Sequence, residues 1–169
     1  MRFETDCIHG GYHPDSTGSV TTPIYLSTAF AHPGVKQSTG YDYIRSQNPT
    51  REQLEKTMAL LEQGCDALAF SSGMAAISCV LELFKPGDHI IYSADLYGGS
   101  IRIFNEISQK NGLSFTALDT GDLHAVKEAI QKNTRAIYVE TPSNPTMQIT
   151  DIKSICELAH KYHILVIVD

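Results

Sequence analysis

Phe70-Ser71-Ser72-Gly73-Met74-Ala75-Ala76 is the stretch whose reading decides the fold. Residues 67–70 before it form a short apolar run. After it, residues 74–84 carry Ile77, Val80, Leu81 and Phe84 at helical spacing. A strand, a small-residue turn and a helix N-terminus together make a phosphate-binding geometry. The first N–H groups of a helix lack internal partners, and the macrodipole adds positive potential there. Ser71 and Ser72 can donate hydroxyl hydrogen bonds, and Gly73 lets an anion approach the backbone closely. Small residues at such a turn also serve tight packing, and this stretch alone does not separate the two uses.

Downstream, apolar runs and helical periods alternate. Residues 89–92, 114–118, 136–139 and 164–168 are expected strands after 67–70. Between them lie helical patterns through Ile101, Phe104 and Ile107, through Val126 and Ile130, and through Ile155, Leu158 and Ala159, with Asp122 and Asp151 as N-caps of the last two. Five strands alternating with helices, several continuously apolar, predict an α/β fold with a mostly parallel sheet covered by helices on both faces. Ligands of such sheets bind at the carboxyl ends of the strands. Residues 71–74, Tyr97, the 140–144 loop and Asp169 all follow an expected strand end.

Upstream, residues 1–47 show little periodicity and are rich in turn chemistry, including Gly10-Gly11, Thr22-Pro23 and His32-Pro33-Gly34. They are expected to form an extended arm, with a cofactor-type α/β domain over 48–169. That domain opens at Asn48-Pro49, an N-cap followed by proline at the first helical position, with Leu54, Met58 and Leu61 on one face and Gly64 as the stop.

The composition is that of a globular chain: 169 residues, 42% hydrophobic and 19% charged. A net charge of −6 with interspersed signs argues against a nucleic-acid or anionic-membrane surface. No apolar run approaches the ~20 residues of a bilayer span. The first residues, Met1-Arg2-Phe3-Glu4-Thr5-Asp6, lack the apolar centre of a secretory signal. Cys7, Cys65, Cys79 and Cys156 are far apart without a CxxC pair, so neither a metal site nor a disulfide framework is expected. Cys79 and Cys156, inside apolar helical patterns, are expected in the core. The expected compartment is the reducing cytoplasm. An apolar strand closing the chain at Asp169 is odd for a complete protein.

A phosphate nest, an aromatic face, a side-chain amide and a carboxylate at strand ends suit a flat, phosphorylated heterocycle. Tyr97, flanked by glycines, can stack on a ring or be a surface turn tyrosine. Asn144 can donate its amide or simply make an Asn-Pro turn. Asp169, closing an apolar strand, needs a partner; a protonated ring nitrogen, an arginine or a helix N-cap would each serve.

These features occur within a longer resemblance. Residues 23–28 (PIYLST), 41–45 (YDYIR), 48–51 (NPTR), 71–76 (SSGMAA), 95–100 (DLYGGS), 140–145 (ETPSNP) and Val168-Asp169 resemble, in order and spacing, the pyridoxal-phosphate enzymes of cysteine and methionine metabolism: cystathionine γ-synthase, β-lyase, γ-lyase and their relatives. The resemblance implies a fold-type-I pyridoxal-phosphate domain and a trans-sulfuration enzyme that makes or breaks a C–S bond of a sulfur amino acid, most like a cystathionine γ-synthase or β-lyase, with γ-lyase as an alternative. Methionine γ-lyase fits less well, because Gly99 stands where those enzymes typically carry a cysteine. A catalytically inert scaffold is the rival of another class. For pyridoxal 5'-phosphate, the resemblance implies phosphate contacts at Ser72, Gly73 and Met74. It implies ring stacking by Tyr97, a ring-nitrogen partner in Asp169, and Asn144 near the ring hydroxyl. Tyr97 and Asp169 are thus the expected catalytic residues, Glu140 is a candidate substrate contact, and no metal is implied. Tyr43 and Arg45 would reach the cofactor phosphate of a neighbouring subunit, within a homotetramer built from dimers that share active sites. None of the eight lysines matches the family's catalytic lysine, which is expected beyond residue 169 in a chain more than twice this length.

Overall fold

The computed structural model describes residues 2–169. The chain divides into two compact units, Met1–Phe70 and Ser71–Asp169.

In the first unit, helix α1 (Phe3–His9) packs on α2 (Pro49–Leu61). The contact is close at Gly10, where a Cβ would stand 2.8 Å from Leu60 Cδ2 and the carbonyl accepts from Thr57 Oγ1 at 2.8 Å. Helix α1 corrects the expectation of an extended arm from the first residue. It buries no residue of its own, so its sequence carries no apolar stripe to announce it. Asn48 caps α2, its side chain accepting from Thr50 and Arg51 N–H. The helix ends at Leu61, and Gln63 rather than Gly64 takes the left-handed conformation, at φ 54°. Between the helices the backbone is largely irregular, tied by the antiparallel bridge Ala29–Tyr43. Residues 67–70 form no strand: they pair with none among the described residues, and Leu68 is 71% exposed. An apolar run signals a need for burial, but a strand exists only where a neighbour completes its ladder.

The second unit opens with α3 (Gly73–Leu81). Then follow β1 (His89–Ser93), α4 (Gly98–Ile103) continued by a π-turn at Phe104–Ser108, and β2 (Ser114–Leu118). The chain goes on through α5 (Leu123–Ala129), β3 (Thr134–Val139), α6 (Ile152–Lys161) and β4 (Leu165–Val168). Asp122 and Asp151 cap α5 and α6 through His124, Ala125 and Ser154 N–H, each cap contributing about 1 kcal/mol. The four strands are parallel, in the order β2-β1-β3-β4.

Strand alternation sends Ile90, Tyr92, Ala136 and Tyr138 to one face, against Leu81, Leu96 and Phe104. Ile91, Ile137 and Val139 go to the other, against Val126, Ile155 and Ala159. Both faces are therefore covered, as expected of a parallel sheet, and each fully buried isoleucine contributes roughly 1.5–3 kcal/mol. Cys156 is half-buried, but Cys79 is exposed, since α3 offers its apolar face through Ile77 and Leu81 and turns Cys79 outward. The strand order reverses between β1 and β3, which opens a crevice at their carboxyl ends.

Candidate functional site

Helix α3 begins at that edge. Ser72 is its N-cap, in extended conformation (φ −161°, ψ 160°), and its hydroxyl accepts from Ala75 N–H at 3.2 Å. The cap leaves the Gly73 and Met74 N–H groups without a hydrogen bond among the described residues. Space over them is free, for a Cβ on Gly73 would meet nothing within 4 Å.

After β1, Leu96 is buried and anchors the turn, while Tyr97 is 59% exposed. The Tyr97 ring lies over Gly99 and next to Met74: a Cβ on Gly99 would fall 2.4 Å from Tyr97 Cε1 and 3.0 Å from Met74 Sδ. Gly99 thus makes the room in which the ring sits. Across the crevice, Glu140 follows β3, and its Oε2 accepts from Tyr97 N–H at 2.8 Å. Asp169 follows β4. Its N–H donates to Val139 O at 2.8 Å, and its Oδ2 accepts from Tyr138 O–H at 2.5 Å. Burial, and then the bond to Asp169, push the Tyr138 phenol well above its ordinary range, so it remains a donor.

Ser72, Gly73, Met74, Ile77, Tyr97, Glu140, Pro142 and Asp169 together line one cleft of about 480 Å³. Six of these, all but Ile77 and Pro142, are site residues expected from the sequence. Asn144 is exposed and lies outside the lining, in a loop that Asp95 holds. Asp95 Oδ2 accepts from Ser143 Oγ at 2.5 Å and from the Thr146 hydroxyl, and these donors keep its carboxyl below the usual range. A buried chain of hydroxyls fixes the same loop beneath, Ser93 to Thr120 at 2.6 Å and Thr120 to Thr150 at 2.7 Å. Tyr43 and Arg45 belong to the first unit, where the Arg45 guanidinium stands 5.1 Å from the Tyr43 ring centroid. Tyr138, whose hydroxyl bonds Asp169, is a neighbour of the cleft that is not expected from the sequence. Its one signal is a phenol in the apolar run 136–139, two residues before Glu140.

A helix N-terminus with two unpaired N–H groups among the described residues, an aromatic ring and a carboxylate at the switch point of a parallel sheet suit a flat ring bearing a phosphate. The chain belongs to the Cys/Met metabolism PLP-dependent enzyme family, which it matches over residues 4–169. It is 48% identical over 160 residues to the cystathionine gamma-synthase/O-acetylhomoserine (thiol)-lyase of Bacillus subtilis, covering 95% of this chain and 43% of that protein. It is 45% identical to the cystathionine beta-lyase of Coxiella burnetii over 99% of this chain and 44% of that one. Among solved structures, cystathionine gamma-lyase from Lactobacillus plantarum complexed with L-serine superposes with a TM-score of 0.95 at 46% identity, covering 100% of this chain and 44% of that one. The chain therefore spans less than half the length of these relatives. No helix among the described residues is long and apolar enough to cross a membrane.

The family depends on pyridoxal phosphate, and the donor set of the cleft fits that group. The two free N–H groups at the start of α3 suit a phosphate. The cradle over Gly99 holds an aromatic face, and Asp169 supplies a carboxylate suited to a protonated ring nitrogen.

Proposed function

We propose that this chain is part of a trans-sulfuration enzyme that makes or breaks a C–S bond of a sulfur amino acid, of the cystathionine γ-synthase or β-lyase type. The observation that carries the reading is the gathering of the α3 N-terminus, Tyr97 and Asp169 around one cleft. In this reading the Gly73 and Met74 N–H groups and the Ser72 cap bind the phosphate, Tyr97 stacks on the ring, and Asp169 pairs with the ring nitrogen. The bound cofactor supplies an electron-poor ring that takes up the electron pair released at the substrate's α-carbon. Asp169 serves this by holding a proton on the ring nitrogen, and Glu140 by holding the Tyr97 backbone. Asn144 acts near the ring hydroxyl. Tyr43 and Arg45 serve the cofactor phosphate of a neighbouring subunit in a cytoplasmic homotetramer.

Identities of 45–48% to proteins named for three reactions support the chemistry more than any one substrate. Gly99 weighs against the methionine γ-lyase variant, since it stands where the resemblance places a cysteine in those enzymes. The test is a panel on the full-length enzyme with pyridoxal phosphate. Cystathionine alone and an O-acylhomoserine with cysteine are offered in turn, and pyruvate, 2-oxobutanoate and cystathionine are measured as products. Turnover of one of these is expected; inertness toward all would leave the scaffold reading.

A further inference from the structure

We infer that Tyr138 is a positioning residue for Asp169, its phenol clamping the carboxylate so that one oxygen faces the cleft. The inference rests on the proposed pairing of Asp169 with the cofactor ring. The parallel register aligns Val139 with Val168, and Asp169 follows that pair with its N–H donated to Val139 O. A carboxylate side chain has two torsions of its own that must be fixed before an oxygen can be aimed. Tyr138 removes that freedom. Its ring is only 2% exposed and stands edge-on to Phe104, with centroids 5.3 Å apart at 81°. The hydroxyl is therefore a fixed point, bonded to Asp169 Oδ2 at 2.5 Å, while Oδ1 has no hydrogen bond among the described residues. A phenol that donates to a carboxylate makes a charge-assisted hydrogen bond, which fixes the acceptor oxygen more firmly than a neutral one. A rigid core residue thus supports a cleft residue, which gives a site its precision. A buried tyrosine also needs a partner for its own hydroxyl, and Asp169 would satisfy that need without any consequence for the cleft.

Tyr138→Phe in the full-length enzyme separates the two roles, because the ring and its packing remain. We expect the dissociation constant for pyridoxal phosphate to rise about tenfold, the magnitude of one lost hydrogen bond to a charged group. We also expect a displaced absorbance band of the bound cofactor, and kcat reduced more than KM is changed. A dissociation constant within about twofold of wild type, with an unchanged band, would overturn the inference. Asp169→Asn is measured alongside: if it too leaves affinity and spectrum unchanged, the ring-partner reading of Asp169 is what has failed. Should Tyr138→Phe not fold, ring-fluorinated tyrosine at position 138 keeps the side chain's size and alters only the acidity of its hydroxyl. A displaced band then supports the clamp, and an unmoved one overturns it.

Discussion

Glu140 Oε2 accepts a hydrogen bond from Tyr97 N–H at 2.8 Å, joining the loop after β1 to the end of β3 where the strand order reverses. The bond changes how Glu140 is best understood. A carboxylate engaged with backbone holds Tyr97 in place, whether or not it also meets substrate. Glu140→Ala in the full-length enzyme should weaken pyridoxal phosphate binding about tenfold, as loss of a charge-assisted bond implies. Glu140→Gln, which keeps an acceptor oxygen, should cost less. Cofactor titration followed by fluorescence checks both, and equal losses would argue that charge rather than the bond is at work.

Gly99→Ala should disturb the cleft while sparing the fold. The added Cβ meets Tyr97 Cε1 at 2.4 Å and Met74 Sδ at 3.0 Å, both on side chains that can swing away. The tyrosine ring is then displaced from its place over Gly99. Cofactor affinity should fall at least several-fold, stacking being worth ~0.5–1.5 kcal/mol, with little change in melting temperature. A variant with wild-type affinity would show that the ring position does not matter.

The parts of this site that are legible in the sequence are those fixed by local chemistry. Asn48, Asp122 and Asp151 announce their helices because a side-chain oxygen meets N–H groups two or three residues ahead. Tyr97, Glu140 and Asp169 can be placed on one edge because parallel strands bring the turns after them to the same side. The clamp from Tyr138 is not legible, because a tyrosine inside an apolar strand looks like any core residue until the register is known. Residues 67–70 pair with none among the described residues for a similar reason: pairing depends on a neighbour, and no local pattern names one. Helix α1 escapes notice because it buries nothing.

The proposal that Arg45 serves a neighbouring subunit's cofactor can be tested by mixing. Arg45→Ala and Asp169→Asn full-length chains should each be nearly inactive. If each site takes Asp169 from one subunit and Arg45 from the other, a hybrid dimer carries one intact site. Random assembly of equal amounts should then recover about a quarter of wild-type activity. If Arg45 serves its own chain, both sites of every hybrid are damaged and nothing is recovered. Activity after co-refolding, against each variant refolded alone, decides between these outcomes.

At the opposite end of β1, His89 should make stability depend on pH without touching the cleft. It is 1% exposed, with Nδ1 2.8 Å from Thr134 Oγ1 and Nε2 2.9 Å from Thr116 Oγ1; Gln131 Nε2 lies 3.4 Å from Nε2. The preceding residue, Asp88, is engaged by Arg135 at 3.4 Å and by Lys85 N–H. Burial lowers the His89 pKa below its ordinary value of 6.5. Between the folded and unfolded values, the unfolded chain holds more protons on this residue, so unfolding free energy rises with pH in that window. The stabilisation is complete above the unfolded value near 6.5. It declines as the pH falls toward the folded value, with a slope of at most ~1.4 kcal/mol per pH unit. His89→Gln cannot titrate and should flatten this part of the profile. Urea unfolding of both full-length proteins at several pH values from neutral to mildly acid measures the two slopes, and parallel slopes would show that His89 does not contribute.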